Sequence, residues 1–433
     1  MSGAKHKGTI LVMSQVYPPD PTSVGQHVAD TCVELVQRGY RVVVVTANRG
    51  YDDPSKKYAS RELRDGVDVR RVPFSSFGKA SVPVRAAAML AFIAWCIWYG
   101  FFTRGAKAVL VSTAPPLCGL AAGLVRIIRR VPYVYWVMDV NPDQLIALGK
   151  AKESALSVRV SDRIQRFVLK HAHSVVVLDR FMADRMNRKL DVTAKMANMP
   201  PWPHEEPEAP LAHADNNFRK EHKLDDKFVV MYSGNHGFAT PVDTMLKAAE
   251  ALEDEPRIQF MFVGGGVRKK EIDAALQERA RPNVRSLPYQ PMETLRHSLS
   301  AADLHLVAME ARVVGINHPC KIYGAMAVGR PILLLGPNPC HASDILAESE
   351  VSFGAAVEPD DAEGMVREIR RISALGADEL ARMGATASSL IAGKYSKSSL
   401  RGRFCDIIEA AATRAELPER ERHAGARVES ASA

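Results

Sequence analysis

The sequence has few cysteines and no Cys-x-x-Cys pair. The six cysteines are scattered along the chain, at Cys32, Cys96, Cys118, Cys320, Cys340 and Cys405. Such scattering fits reduced thiols better than a disulfide framework. The first apolar run, Thr9–Met13, is too short for the core of a signal peptide. These absences indicate a cytoplasmic protein and argue against a disulfide-rich scaffold.

Two phosphate-binding signatures are also absent. The chain has neither a G-x-x-x-x-G-K-[ST] P-loop nor a G-x-G-x-x-G fingerprint at its first strand-to-helix turn. An ATPase or a dehydrogenase is therefore disfavoured. The apolar fraction of 47% and the charged fraction of 24% are ordinary for a globular protein, which excludes a disordered chain. The net charge of +8 favours anionic ligands in general but selects none of them.

Long apolar runs are scarce, and one segment is the exception. Residues 86–102 form a stretch of 17 residues without a charge, rich in Trp, Tyr and Phe and flanked by Arg85 and Arg104. The stretch is at the lower limit for a membrane-spanning helix. It also fits a buried helix, or a helix lying in a membrane interface. We favour the last two interpretations, because strand–helix–strand patterns surround the segment on both sides.

Short β-branched runs alternate with helical periodicity along the whole chain. The run Arg41–Thr46 is apolar on both faces, as in parallel sheets that helices cover on both sides. The pattern predicts an α/β protein with two doubly wound, Rossmann-like domains, at residues 1–205 and 216–395. Ligands of such sheets bind at the carboxyl ends of the strands. We therefore expect the two domains to face a cleft that holds two substrates.

The segments outside these domains differ in composition. A proline-rich stretch at 200–215 separates them and is predicted to be a linker about which they close. Residues 396–417 are predicted to contain a helix that packs back on the first domain. Residues 418–433 are rich in charged and small residues and are predicted to be a disordered tail.

Three loops lie where a predicted strand ends and a helix begins. They are Pro18–Gly25, Tyr232–Gly237 and Val263–Lys270. Glycines there allow the backbone to approach a ligand closely, and the N–H groups of a helix start can bind phosphate. An ordinary flexible loop remains the alternative for the first of them. The candidate ligand-binding residues in these loops are Gly25, Ser233, Gly234, Asn235, His236, Gly237 and Gly265.

The order of these signals resembles one enzyme family, over roughly residues 9–410. The resemblance rests on the loops just named together with the stretches Gln37–Thr46, Met138–Asp143, Val175–Asp179, Ala301–Val307 and Ala325–Ile332. In this order they resemble the retaining glycosyltransferases of family 4, which have the two-Rossmann GT-B fold. The resemblance implies a nucleotide-sugar donor on the second domain and an acceptor on the first. It also implies UDP as the donor nucleotide, retention of anomeric configuration and no metal requirement.

The sequence departs from that family at the donor side. The family has two glutamates eight positions apart, and here Ile316 and Gly324 occupy those places. The usual Arg and Lys are also missing from 233–240. The segment His318–Pro331 instead resembles a subgroup that acts on exopolysaccharides and lipid-linked oligosaccharides. There a Pro-x-Lys opens the donor-side helix, so Lys321 is predicted to face the donor phosphates, with His318 and Tyr323 beside it.

Two further residues are candidates for catalysis. Asp139 ends an apolar strand and could orient an acceptor hydroxyl, or could only cap the next helix. His27 lies in the first turn after Gly25 and is a second candidate. The pairs His318/Cys320 and Cys340/His341 fit no common zinc module, so we expect no metal site.

These observations predict a hexosyltransferase that works in surface polysaccharide synthesis. The expected partners are a nucleotide-sugar and a glycan or polyprenyl-linked acceptor, with no nucleic acid. Peripheral contact with the inner face of the plasma membrane, through 86–102, would bring the enzyme to a lipid-linked acceptor. A sugar-nucleotide 2-epimerase has the same fold and remains an alternative. A catalytically silent binding subunit is a second alternative, because the glutamate pair is missing.

Overall fold

A computed structural model describes residues 6–20, 22–50, 53–76, 82–203 and 211–422. The chain divides into two compact units. The first unit consists of Met1–Pro201, Gly315–Asn317 and Ser398–Ala433, and the second of Trp202–Val314 and His318–Lys397. The three residues at 315–317 thus belong with the first unit although both neighbouring segments belong with the second. No pattern in the sequence indicated this.

The first unit is built on an eight-stranded sheet of order β3-β4-β2-β1-β5-β6-β7-β8. All neighbours pair in parallel except β3, which runs antiparallel to β4. The strands are β1 Thr9–Met13, β2 Arg41–Ala47, β3 Arg61–Arg64, β4 Val67–Val72, β5 Ala106–Ser112, β6 Tyr133–Trp136, β7 Ser174–Val177 and β8 Met196–Asn198. Strands β1, β6 and β7 are buried along their whole length. This confirms the double-sided burial predicted from the β-branched runs.

Helices connect and cover these strands. They are α1 Ser23–Gln37, α2 Val82–Phe102, α3 Gly119–Arg129, α4 Asp143–Ala147, α5 Leu156–His171 and α6 Arg180–Lys189. Helix α2 packs on α3, where a Cβ at Gly100 would lie 2.3 Å from Val125 Cγ2. Much of α2 nevertheless faces outward. Its stretch Pro83–Phe102 is long and apolar enough to cross a membrane, and only 28% of that window is buried.

The second unit is built on a six-stranded, all-parallel sheet of order β11-β10-β9-β12-β13-β14. The strands are β9 Phe228–Asn235, β10 Ile258–Gly265, β11 Val284–Leu287, β12 Leu304–Ala308, β13 Ile332–Leu335 and β14 Gly354–Val357. The helices are α7 Asn217–Glu221, α8 Val242–Ala251, α9 Lys269–Glu278, α10 Leu295–Ser300, α11 Lys321–Ala327, α12 His341–Leu346, α13 Ala362–Ser373 and α14 Ala377–Gly393. Both units are thus parallel α/β layers, as predicted.

The C-terminal segment differs from its prediction in one respect. Helix α15, Lys397–Thr413, lies in the first unit, where Phe404 packs on Trp136 with ring centroids 4.3 Å apart. A 3₁₀ turn, Glu419–Glu421, follows it, and the buried Glu421 forms a bidentate pair with Arg403. The prediction of a disordered tail from 418 is therefore wrong for 418–422. Residues 423–433 of that tail, and 204–210 of the predicted linker, lie outside the described residues.

Candidate functional site

Two glycines bring the backbones of β9 and β10 together at the carboxyl edge of the second sheet. Gly234 and Gly264 are paired in register, with φ angles of +124° and +126°. A Cβ at Gly264 would lie 2.1 Å from the carbonyl oxygen of Gly234. Only glycine fits both this conformation and this approach. The strands consequently extend past the predicted ends, so that Ser233, Gly234 and Asn235 are strand residues rather than a loop.

Lys321 lies directly against Gly234. A Cβ at Gly234 would be 2.8 Å from Lys321 Cε, and Lys321 Nζ is 4.9 Å from the centre of the Tyr232 ring. Among the residues that the structure describes, no carboxylate pairs with this ammonium group. Lys321 opens helix α11, where a cation is unfavourable for the helix dipole. The arrangement leaves a half-buried positive charge beside the half-buried backbone of Gly234, which suits an anionic ligand.

His236 is the buried side chain beneath this edge. Its ring lies 4.7 Å from that of Tyr232, and Nδ1 donates to the Gly265 carbonyl oxygen at 3.2 Å. Nε2 is buried and has no hydrogen-bond partner among the described residues. Burial lowers the pKa of His236 to about 4, and the neighbouring Lys321 acts in the same direction. The imidazole is therefore neutral at pH 7, with the lone pair on Nε2.

The other residues near 233–237 differ in how much room the structure leaves for a side chain. The carbonyl oxygen of Asn235 accepts a hydrogen bond from the Tyr232 hydroxyl, and a Cβ at Gly266 would lie 2.4 Å from Asn235 Oδ1. Ser233 is half-buried. Gly237 is different, because a Cβ there would meet only Asn235 Nδ2, at 3.6 Å. Sterics therefore require glycine at 234, 264 and 266 but not at 237.

In the third predicted loop, Arg268 and Lys269 are paired with acidic side chains. Arg268 donates to the Thr240 carbonyl and pairs with Asp243 and Glu271. Lys269 pairs with Asp273 at 3.0 Å. Arg268 and Lys269 are thus neutralised within the unit, which makes them poor candidates for binding a phosphate. A Cβ at Gly265 would lie 2.8 Å from Cε2 of the exposed Tyr289 ring, which would have to shift to admit a side chain.

His318 and Tyr323 contact a third residue, His341, for which no sequence pattern predicted a donor-binding role. The Tyr323 hydroxyl lies 2.9 Å from His318 Nε2 and 2.7 Å from His341 Nε2. One hydroxyl has one proton, so it donates to at most one of the two imidazoles and accepts a hydrogen bond from the other. The Tyr323 ring is 1% exposed and packs against Tyr395 at 5.5 Å.

The cysteines near these histidines make local contacts. The Cys340 side chain and Ser343 form a capping box at the start of α12. The Cys320 thiol lies 3.5 Å from the His318 carbonyl oxygen. Both thiols are free of disulfides. The absence of a metal stays an expectation from the spacing of these residues.

In the first unit, Asp139 lies at the carboxyl edge of the sheet, just beyond β6. Its carboxylate accepts a hydrogen bond from Asn317 Nδ2 at 2.7 Å, and its backbone N–H donates to Thr113 Oγ1 at 3.1 Å. Burial raises the pKa of the Asp139 carboxyl to about 6, and the bond from Asn317 opposes that shift. The group also lines a small cavity with Thr113, Tyr135 and Gln165. It is thus placed to accept a hydrogen bond from a hydroxyl.

Gly25 lies in the first turn of α1, and its own N–H group is already used by the helix cap, while its predicted place in the donor site stays a prediction. Helix α1 starts at Ser23, and the Thr22 hydroxyl caps it by accepting the Gly25 N–H at 3.3 Å. A Cβ at Gly25 would lie 2.8 Å from that hydroxyl and 3.2 Å from the Tyr17 nitrogen. Glycine is needed here for close packing of the loop rather than for an exposed N–H group.

His27 is buried in the first unit. It is 1% exposed, Nδ1 donates to the Ser23 carbonyl oxygen at 2.7 Å, and the ring meets Trp136 edge-on at 6.5 Å. These contacts fix the imidazole between α1 and the sheet. Its catalytic role stays a prediction.

Three polar residues near the candidate groups were not singled out from the sequence. They are Tyr232, whose ring faces Lys321 Nζ, Asn317, which donates to the Asp139 carboxylate, and Thr113, whose hydroxyl accepts the Asp139 backbone N–H. Tyr232 ends the apolar run of β9, and this position could have marked it as a candidate site residue. Asn317 and Asp139 are far apart in sequence, and no spacing rule brings them together.

Two family models match the chain. A glycosyl transferase 4-like domain matches residues 22–202, and a glycosyl transferases group 1 domain matches residues 214–389. The chain belongs to the family-4-like glycosyltransferases. The two matches of this glycosyltransferase correspond to its two α/β units and confirm the family that the sequence motifs indicated.

Individual relatives agree with that assignment. The glycosyltransferase is 26% identical to the glycosyltransferase WbjE of Pseudomonas aeruginosa, over 68% of this chain and 72% of WbjE. It is 24% identical to the colanic acid biosynthesis glycosyl transferase WcaI of Escherichia coli (strain K12), over 84% of this chain and 91% of WcaI. Anabaena HepE in complex with UDP and glucose has a TM-score of 0.67 at 14% identity, over 93% of this chain and all of HepE, which supports the GT-B fold.

Proposed function

We propose that this glycosyltransferase moves a hexose from a UDP-linked donor to a glycan or polyprenyl-linked acceptor during surface polysaccharide synthesis. A relative named for colanic acid biosynthesis and a fold neighbour in complex with UDP and glucose support this proposal. The observation that carries it is Lys321 lying against the glycine backbone at 234, without a carboxylate partner among the described residues.

The chemistry at that edge follows from the leaving group. Breaking the bond between the sugar C1 and the diphosphate leaves negative charge on UDP and an oxocarbenium-like sugar. A fixed ammonium beside glycine backbone stabilises that charge more than it stabilises the intact donor. We propose that Lys321 and the backbone of 233–237 perform this role without a metal. His236 adds no charge at neutral pH, because burial keeps its pKa low.

The acceptor side of the proposal rests on Asp139. An acceptor hydroxyl must be oriented and must lose its proton as its oxygen bonds to the sugar C1. The Asp139 carboxylate, raised in pKa to about 6 and held by Asn317, is suited to accept a hydrogen bond from such a hydroxyl above that pH. By family resemblance we expect the new bond to retain the anomeric configuration of the donor.

The membrane part of the proposal rests on helix α2. Leu90, Trp98 and Phe102 are 62%, 56% and 63% exposed, on a helix that carries Arg85 in its first turn and is followed by Arg104. Exposed aromatic rings with adjacent arginines suit the interface of an anionic membrane. We propose that α2 docks the enzyme at the inner face of the plasma membrane, where a polyprenyl-linked acceptor would be reached.

The test is a panel of nucleotide-sugars followed by an acceptor assay. UDP-hexoses should raise the melting temperature of the wild type and of Lys247→Ala, an exposed-lysine control in the same unit, but not of Lys321→Ala. Transfer should then require a polyprenyl-linked or glycan acceptor, with ¹H NMR reporting the product anomer. Donor turnover without any acceptor would instead indicate an epimerase. If no nucleotide-sugar shifts the melting temperature, the proposal fails.

A further inference from the structure

A basic cavity lies at the amino edge of the first sheet, at the end opposite to Asp139. It has a volume of about 580 Å³ and is lined by residues at or just before the starts of β1, β5 and β6, together with the end of α15. Four of the lining residues are cations: Lys7, Lys107, Arg129 and Arg414. The proposed transfer reaction uses none of them.

The positive charge of this cavity is poorly compensated. Within the described part of the chain, Lys107, Arg129 and Arg414 have no carboxylate partner. Lys7 has one, Glu409 at 3.5 Å, but Glu409 also pairs with Arg38 at 2.6 Å. A cavity lined by one sign of charge concentrates field and attracts ions of the opposite sign.

Two of the four cations are bound to carbonyl groups at the ends of helices, which accounts for their positions. Arg129 Nη1 donates to the carbonyl oxygens of Gly100 and Thr103, at the end of α2, at 2.7 and 3.0 Å. Arg414 Nη2 donates to the Arg130 carbonyl oxygen at 3.3 Å. Cations at helix C-termini are favourable in this way. Lys107 has no such bond among the described residues and still lines the cavity, so carbonyl capping does not account for the set.

The cavity adjoins the apolar end of α2. Arg129 binds the carbonyl of Thr103, which directly follows the exposed Phe102. The Phe102 ring packs against Trp98 with centroids 4.3 Å apart, and Ile128, next to Arg129, is 64% exposed. A cationic cavity beside exposed aromatic and aliphatic side chains is the combination that suits a phosphate on an apolar anchor.

We propose that this cavity binds a phosphate group, and that its source is the headgroup of an anionic phospholipid. Lys107 and Arg414 supply charge to the phosphate, while Trp98 and Phe102 enter the acyl boundary beside it. The lipid source rests on the membrane contact proposed above. The phosphate site itself does not, because it depends only on the four cations.

The experiment compares three proteins with the wild type. Lys107→Glu/Arg414→Glu removes the cavity charge without touching Arg129, which holds the end of α2. Lys220→Glu/Lys247→Glu is the control, with the same charge change at exposed lysines of the second unit. Trp98→Ser/Phe102→Ser removes the apolar contact. Each is tested by sedimentation with phosphatidylcholine vesicles, with and without roughly one-third phosphatidylglycerol, and by thermal shift with inorganic phosphate. Circular dichroism melting verifies that each variant folds.

The expected result is selective. The cavity variant should bind the phosphatidylglycerol vesicles at least about thirtyfold less than wild type, since each basic residue lost contributes about a factor of five and the two glutamates add repulsion. The control variant should retain at least half of the vesicle binding of the wild type. If only the phosphate-induced thermal shift is lost, the site stands and its ligand is soluble. If the cavity variant behaves as the control in both assays, the inference is overturned.

The variant of α2 separates this inference from the membrane contact. If Trp98→Ser/Phe102→Ser binds vesicles as well as wild type, the membrane contact of α2 fails. The phosphate response of that variant still reports on the cavity.

Discussion

The carboxyl edges of the two sheets have the same architecture and opposite chemistry. In the first unit the edge holds a largely buried carboxylate, Asp139, with an amide and a hydroxyl around it. In the second unit it holds glycines at positive φ and an ammonium group, Lys321, without a carboxylate partner in the described residues. The first edge suits neutral hydroxyl groups and the second suits phosphates. Under the proposed function, two similar layers would thus serve different substrates through a few side chains.

The largest expected effect comes from removing the charge of the second edge. Lys321→Ala should lower kcat/KM about 10²- to 10³-fold, because it removes a cation from the developing charge of the diphosphate. Steady-state transfer assays measure this. Lys247→Ala should keep wild-type kinetics. A Lys321→Ala enzyme with unchanged kinetics would show that the two edges do not differ in the way proposed.

Asp139→Asn probes the first edge and should lower kcat about 10²-fold. In the wild type, activity should rise as pH increases through about 6, where the carboxyl ionises. The pH profile of kcat/KM measures this. A profile that is flat between pH 5 and 8 at substantial activity would exclude the carboxylate from the reaction.

The Asp139→Asn substitution, which should lower kcat, should raise the stability of the fold at high pH. The pKa of Asp139 is higher in the folded chain, at about 6, than its ordinary value of 3.8, so the folded state binds the extra proton between these values. Its contribution to stability is therefore present below pH 4 and lost as pH rises through about 6. Asp139→Asn should raise the free energy of unfolding at pH 8 by about 2 kcal/mol and change it little at pH 4. Urea unfolding at both pH values decides this.

A pair of glycine substitutions tests the close backbone approach of the second edge. Gly264→Ala should destabilise the unit by about 2 kcal/mol, because its φ is +126° and its Cβ would collide with the Gly234 carbonyl. Gly237→Ala meets nothing closer than 3.6 Å and should change stability by less than about 0.5 kcal/mol. Equal effects in urea unfolding would contradict the steric account.

The smallest effect is expected from Tyr323→Phe. The ring stays packed against Tyr395, and only the hydroxyl between His318 and His341 is lost. We expect a loss of about 1 kcal/mol in stability and a few-fold increase in the KM for donor. A loss of activity as large as that of Lys321→Ala would place this hydroxyl in the chemical step.

Much of the fold could be predicted because its signals are local. Runs such as Arg41–Ala47 and Phe228–Tyr232 are apolar on both faces and flanked by helical periods, which only a covered parallel sheet satisfies. Some short strands could not be predicted, because they contain too little local signal. Strands of three or four residues, such as β3, β8 and β14, are too short to show a period and depend on their neighbours.

The sequence by itself determined the two parallel α/β layers and the positions of the glycines at the carboxyl edge of the second sheet. Only the tertiary structure decided which polar groups are already satisfied. Thr22 takes the N–H of Gly25, acidic neighbours neutralise Arg268, and Lys321 keeps its charge. The physical reason is the separation in sequence of the residues involved. Periodicity is a property of a few neighbouring residues, whereas ion pairs and hydrogen bonds depend on side chains that meet only after folding.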